Sequence, residues 1–149
     1  MTAASVAALG ADAASPADRS AATTTLRYTL RAAPDRDESA IDSPPAGPSL
    51  GDEFMVADRI YDRGGRRRLG RSNGYCVATG LEHHDNQCSG TFYLPGGRIE
   101  WVAGDDGPPR LGLEIVGGFG RYAGARGTAT IEAVDPSANR SRLVIQLAP

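Results

Sequence analysis

The segment 51–62 places Phe54, Val56 and Ile60 on one face of an alternating pattern, and Asp58 interrupts that face with a carboxylate. A carboxylate among apolar neighbours loses hydration. It then either pairs with a cation or rises in pKa until it is usable as an acid or base near neutral pH. The alternative is purely structural: a buried ion pair, or a side chain tied to a loop N–H. Arg126 is the natural partner, because a guanidinium offers a planar fork of donors to a carboxylate, phenolate or enolate and stabilises negative charge as it develops. A salt bridge from Arg126 to Asp58 or Glu114, closing one end of the fold, is the competing use.

Cys76 and Cys88 flank a polar turn, an arrangement in which two cysteines of antiparallel strands can meet. A bridge there closes a short loop, is worth about 3 kcal/mol and implies an oxidising compartment. His83 and His84 are adjacent in the same turn. Neighbours in an extended chain point to opposite sides, so they do not share a metal ion, and the pattern predicts surface histidines and no metal site. No nucleophile elbow supports a Ser-His-Asp hydrolase.

The run Gly118-Phe119-Gly120-Arg121-Tyr122-Ala123 matches a dinucleotide fingerprint, but that fingerprint needs a helix directly afterwards to hold the phosphates. The continuation alternates through Thr128, Thr130 and Ile131 to Pro136, which reads as a strand and a turn. The glycines therefore serve bends and close backbone approach, where a Cβ does not fit.

The elements that must carry these residues are strands. Residues 24–32 alternate Leu26, Tyr28 and Leu30 against Arg27, Thr29 and Arg31, and further strands are expected at 52–62, 69–80, 87–95, 98–104, 111–117, 125–134 and 140–147. Eight strands without a convincing helical period predict an all-β, eight-stranded antiparallel barrel over residues 23–149. Residues 1–22, rich in Ala, Ser and Asp, read as a disordered leader. Residues 33–50, rich in Pro, Asp and Ser, read as a long loop acting as a lid or a subunit contact.

The chain of 149 residues has a net charge of −2 and a pI near 5.6, so no general field draws it to nucleic acid or to an anionic membrane. All of its basic residues are arginine. Arg63, Arg66, Arg67 and Arg68 form one basic run, expected as a solvated loop, with a phosphate or polyanion contact as the alternative. No apolar stretch is long enough to span a bilayer as a helix. The expected location is cytoplasmic if the N-terminus is complete as written, and secreted if Cys76 and Cys88 are bridged and an export signal has been lost.

Gly51-Asp52-x5-Asp58-x-Ile60-Tyr61-Asp62, Gly70-x3-Gly74-x-Cys76, Thr91-Phe92-x-Leu94, Gly97-x-Ile99 and Ile115-x-Gly117-Gly118-x-Gly120-x-Tyr122-x2-Ala125-Arg126-Gly127 occur in this order. That series resembles the allene oxide cyclases and the related dirigent proteins, over about residues 51–133. The resemblance implies a calycin-like barrel around an apolar cavity, a homo-oligomer (trimer or dimer), and steering of reactive apolar intermediates without a metal or organic cofactor. It also implies that Arg126 faces the cavity, that Asp58 takes a lumenal polar position, and that Cys76 is a lone cavity thiol. The last competes with the Cys76–Cys88 bridge.

On this reading Tyr28, Phe54, Cys76, Phe92 and Trp101 line the substrate site, and Asp58 and Arg126 carry the chemistry. Gly70, Ser72, Gly74, Cys76, Ala78 and Gly80 form a small face that, turned inward, leaves the barrel room for a ligand. Turned outward, the same face lets a neighbouring subunit approach. The expected function is a cofactor-free cyclase or isomerase closing a polyketide, polyene or phenolic intermediate, in natural-product biosynthesis. The alternative is a secreted, disulfide-bonded, non-catalytic barrel that binds an apolar ligand or a protein.

Overall fold

The computed structural model describes residues 22–33, 40–81, 85–105 and 110–149. Period-two alternation becomes strands: β1 Thr24–Ala32, β2 Ala40–Ile41, β3 Glu53–Tyr61, β4 Arg68–Ala78, β5 Asn86–Leu94, β6 Gly97–Asp105, β7 Arg110–Gly120, β8 Gly127–Asp135 and β9 Arg140–Leu147. One turn of 3-10 helix, Pro136–Ala138, joins β8 to β9. The expected leader up to residue 21 and the turn histidines His83 and His84 lie outside the described residues, as do residues 34–39 of the 33–50 loop.

Every pairing is antiparallel, in the order β1-β9-β8-β7-β6-β5-β4-β3, and β1 pairs with β3 to close the barrel. The closing register sets Leu30 opposite Ile60 and Ala32 opposite Asp58. The two-residue β2 adds to the same edge of β3, above the point where β1 ends. Closure leaves the eight barrel strands without a long free edge.

Alternate residues of each strand build the interior. Leu30, Ile60, Phe92, Ile99, Leu143 and Ile145 are fully buried, and Trp101, Leu113, Ile115 and Ala129 complete the middle of the core. Ser72, Gly74 and Cys76 are buried too, so the small face of β4 does turn inward. The space it leaves is not open. The Trp101 indole, from β6, lies against Gly74 of β4 and Gly90 of β5, and stacks on Phe92 with ring centroids 5.8 Å apart. A Cβ on Gly74 would stand 3.0 Å from the indole and 2.8 Å from Val56, and one on Gly90 would collide with the indole and the Asn73 carbonyl. The room expected beside the small face of β4 is thus taken up at Gly74 by a tryptophan, as close packing of an interior demands.

Gly90→Ala should cost about 1–3 kcal/mol of stability by overpacking this contact. Gly112→Ala, where nothing lies within 4 Å, should stay within about 0.5 kcal/mol. Urea denaturation followed by tryptophan fluorescence checks both.

Candidate functional site

The strand register puts Asp58 near one end of the barrel. It sits opposite Ala32, the last residue of β1, and opposite the buried Ser72 of β4. It is half-buried on the same face as Phe54, Val56 and Ile60, and it is engaged rather than free. The Cys76–Cys88 pair lies toward the same end, near the close of β4 and the start of β5. Phe54, Leu111 and Ile131 pack on the core there but are only partly buried. Apolar rim, carboxylate and disulfide therefore share one end.

Cys76 and Cys88 face each other across β4 and β5 and form a disulfide, with both residues buried. This decides between the two sequence readings of Cys76: it is not a lone cavity thiol. Phe92 and Trp101 are both buried on the inner wall. Trp101 Nε1 is buried and meets no acceptor among the described residues. A buried indole N–H ordinarily finds a partner, so this donor is a hydrogen bond left unspent among the described residues.

The connection entering β3 is pinned over this end. The Asp52 carboxylate accepts hydrogen bonds from the Ser43 and Ser49 amides at 2.9 and 2.8 Å and from the Ser49 hydroxyl at 2.8 Å. The Ser49 hydrogen bonds, then that of Ser43, hold the Asp52 carboxyl below the ordinary range. Gly51 and Asp52 also exchange backbone hydrogen bonds with Ala78 at the end of β4. The described part of the long loop is thus a fixed strap rather than a loose flap.

The opposite end is closed. Tyr122, in the connection from β7 to β8, is buried and donates to the Pro95 carbonyl at 3.5 Å. Tyr28, on the inner face of β1, hydrogen-bonds to Tyr122; burial first, and then this neighbour, push its pKa up to about 12. Gly118 passes so close to the Tyr122 carbonyl that no Cβ fits, and Gly120 takes φ +65° against Gly96. The glycine run is therefore the device that folds Tyr122 over the barrel end, and β7 runs through it to Gly120 rather than stopping at 117. Sequence reasoning missed Tyr122; its only signal was a large apolar ring in an otherwise small-residue turn.

Arg126 departs from expectation. It belongs to this closed end, its side chain is exposed, and its Nη1 donates to the Ala125 carbonyl at 2.8 Å. Loop residues have no alternation to fix their direction, and here the guanidinium goes to solvent rather than to the cavity. Glu114, its other suggested partner, is exposed on the outer face of β7. Tyr28 likewise belongs to the closed end, away from Phe54.

An antiparallel barrel with an apolar interior, one end sealed and the other rimmed by apolar residues and a carboxylate, is the class of protein these elements define. The family model for the allene oxide cyclase barrel like domain matches residues 28–145. The chain belongs to that family. No curated protein sequence matches it.

Among solved structures, a pyocyanin demethylase superposes with a TM-score of 0.72 at 20% identity, covering 84% of this chain and all of the other. A pterocarpan synthase dirigent protein gives 0.62 at 15% identity, over 87% of this chain and 95% of its own. The Diels-Alderase AbmU from Streptomyces koyangensis gives 0.61 at 18%, over 87% and 72%. At these identities the likeness is one of fold.

Two measurements bear on the ends of the barrel. Below about pH 10 folded and unfolded chains both hold the Tyr28 proton, so it adds no pH dependence there. Between about pH 10 and 12 the unfolded chain releases the proton while the folded one keeps it, so stability should fall through that window. The fall should be shallower in Tyr28→Phe, read from urea midpoints at pH 9 and 11. Reduction of the disulfide, whose cysteines are 12 residues apart, should lower stability by about 3 kcal/mol, read by denaturation with and without a thiol reductant.

Proposed function

We propose that this chain is a cyclase or isomerase that takes an apolar reactive intermediate, a polyketide, polyene or phenolic, at the strap-covered end of the barrel and closes a ring in it. The placement of Asp58 carries the proposal: a half-buried carboxylate in the row of Phe54, Val56 and Ile60, opposite the last residue of β1. Family membership supports it, as do solved neighbours described as a dirigent protein and as Diels-Alderases. Another neighbour is described as a heme-binding cyclase, also acting by [4 + 2] cycloaddition.

In this reading the substrate rests against Phe54, Leu111 and Ile131, held in one reactive conformer, which lowers the barrier by removing the entropy of alignment. Asp58 moves the proton that ring closure transfers, and the Trp101 N–H donates to an oxygen of the substrate. The proton chemistry comes from Asp58 and asks for no resident cofactor. With its guanidinium in solvent at the far end, Arg126 is assigned no part in proton transfer; a charge-stabilising role would require it to turn inward.

Two observations favour a second reading, a non-catalytic barrel in an oxidising compartment: the formed disulfide, and the indole that takes up the room left by Gly74 and Gly90. The test is mass spectrometry of small-molecule extracts from the source organism incubated with the native protein, Asp58→Asn and Trp101→Phe. Cyclisation shows as a compound of unchanged mass at a new retention time. Asp58→Asn should slow its appearance by about 100-fold or more, and Trp101→Phe by a smaller factor. Equal conversion by Asp58→Asn removes the proposed role of that residue. A compound retained but never converted selects the binding reading.

A further inference from the structure

The outer surface carries a second, chemically different site. Between β1, β9 and the loop joining β3 to β4 lies a groove of about 450 Å³ whose lining includes Arg27, Arg63, Arg140 and Arg142, with Thr29 and Ser141 between them. None of its described lining residues is acidic. Carboxylates do stand at its edge, and they engage two of these arginines. Asp135 and Glu132 make long contacts with Arg140 at 3.7 Å and Arg142 at 3.6 Å, and Asp62 accepts from the Arg66 and Arg67 amides of its own loop.

Arg27 and Arg63 have no ion-pair or hydrogen-bonded side-chain partner among the described residues. Outer arginines beyond the groove include two that are engaged. Arg71 lies over Tyr93 at 3.8 Å, and Arg98 over Phe119 at 3.9 Å and beside Glu100 at 3.4 Å. The groove is also built before any ligand arrives. The Thr29 hydroxyl donates to the Arg63 carbonyl at 3.2 Å, and Arg31 donates to the Gly65 carbonyl at 3.0 Å, which moors the arginine loop to β1. A moored site loses less entropy on binding than a free loop would.

Arg27 and Arg63 thus add two cationic groups without a counter-charge among the described residues to the long-paired Arg140 and Arg142, and guanidinium groups match the oxygens of phosphate and sulfate in paired hydrogen bonds. We propose that this groove binds a multiply charged oxyanion, a phosphate or sulfate group, carried by a small molecule and independent of the barrel interior.

The test is calorimetric titration of the full chain at low ionic strength with inorganic pyrophosphate, inorganic sulfate and phenyl phosphate, which separates free phosphates, sulfate and a phosphate ester. Native protein should bind at least one of them, and binding should weaken as salt is raised. Arg27→Gln and Arg63→Gln should each weaken it about tenfold, the effect expected of losing one charge-assisted hydrogen bond. Arg71→Gln, which removes the same charge outside the groove, should leave it within about twofold. No binding by the native protein, unchanged binding in the Arg27→Gln, Arg63→Gln double variant, or equal loss in Arg71→Gln would overturn the proposal.

Discussion

The packing of one indole against two glycines governs the interior of this barrel. Trp101 projects from β6 across β5 to β4, and Gly74 and Gly90 are the positions where its ring lies. A larger residue at either would push the ring off the wall or force the strands apart, because a close-packed interior does not absorb an added methyl group freely. Phe92, stacked on the same ring, and Val56, touching the Gly74 site, are held in turn. The small face of β4 and the largest side chain of the core are therefore one feature.

The strands were legible because alternation is local. The readings 24–32 and 140–147 coincide with Thr24–Ala32 and Arg140–Leu147, and the other barrel strands differ by a few residues at their ends. Closure and inward facing follow from the same pattern. What filled the interior was not legible: the small residues of β4 are adjacent in sequence, but their occupant comes from β6, and nothing local joins the two. Direction in loops was also hidden. Arg126 and Tyr122 belong to one connection, and only the tertiary path puts the tyrosine inside and the arginine outside. For Asp58, which alternation placed on the inner face, the sequence was enough; its engagement with neighbours was not visible there.

The two ends of the barrel handle polarity differently. At the closed end the buried polar groups are hydroxyls, Tyr28 on Tyr122 and Tyr122 on the Pro95 carbonyl, which satisfy one another without burying charge. Neutral hydrogen bonds suit a sealed end, since desolvating an ion there would cost far more than such a bond returns. At the other end carboxylates join the buried hydroxyls of Ser49 and Ser72: Asp52 in the strap and Asp58 on the wall, both outside the fully buried set. A charge is tolerated where water or a loop amide can reach it.

That division also explains why the disulfide sits where it does. The closed end is fixed by glycine contacts and tyrosine hydrogen bonds, and the middle by Trp101. The end near Asp58 has a long connection entering β3 and a β1 that stops at Ala32. Cys76 and Cys88 tie those two strands directly, just inside the point where Gly51 and Asp52 bond to Ala78. The covalent link keeps the wall opposite Asp58 from opening, so the rim can stay only partly buried without loosening the core beneath it.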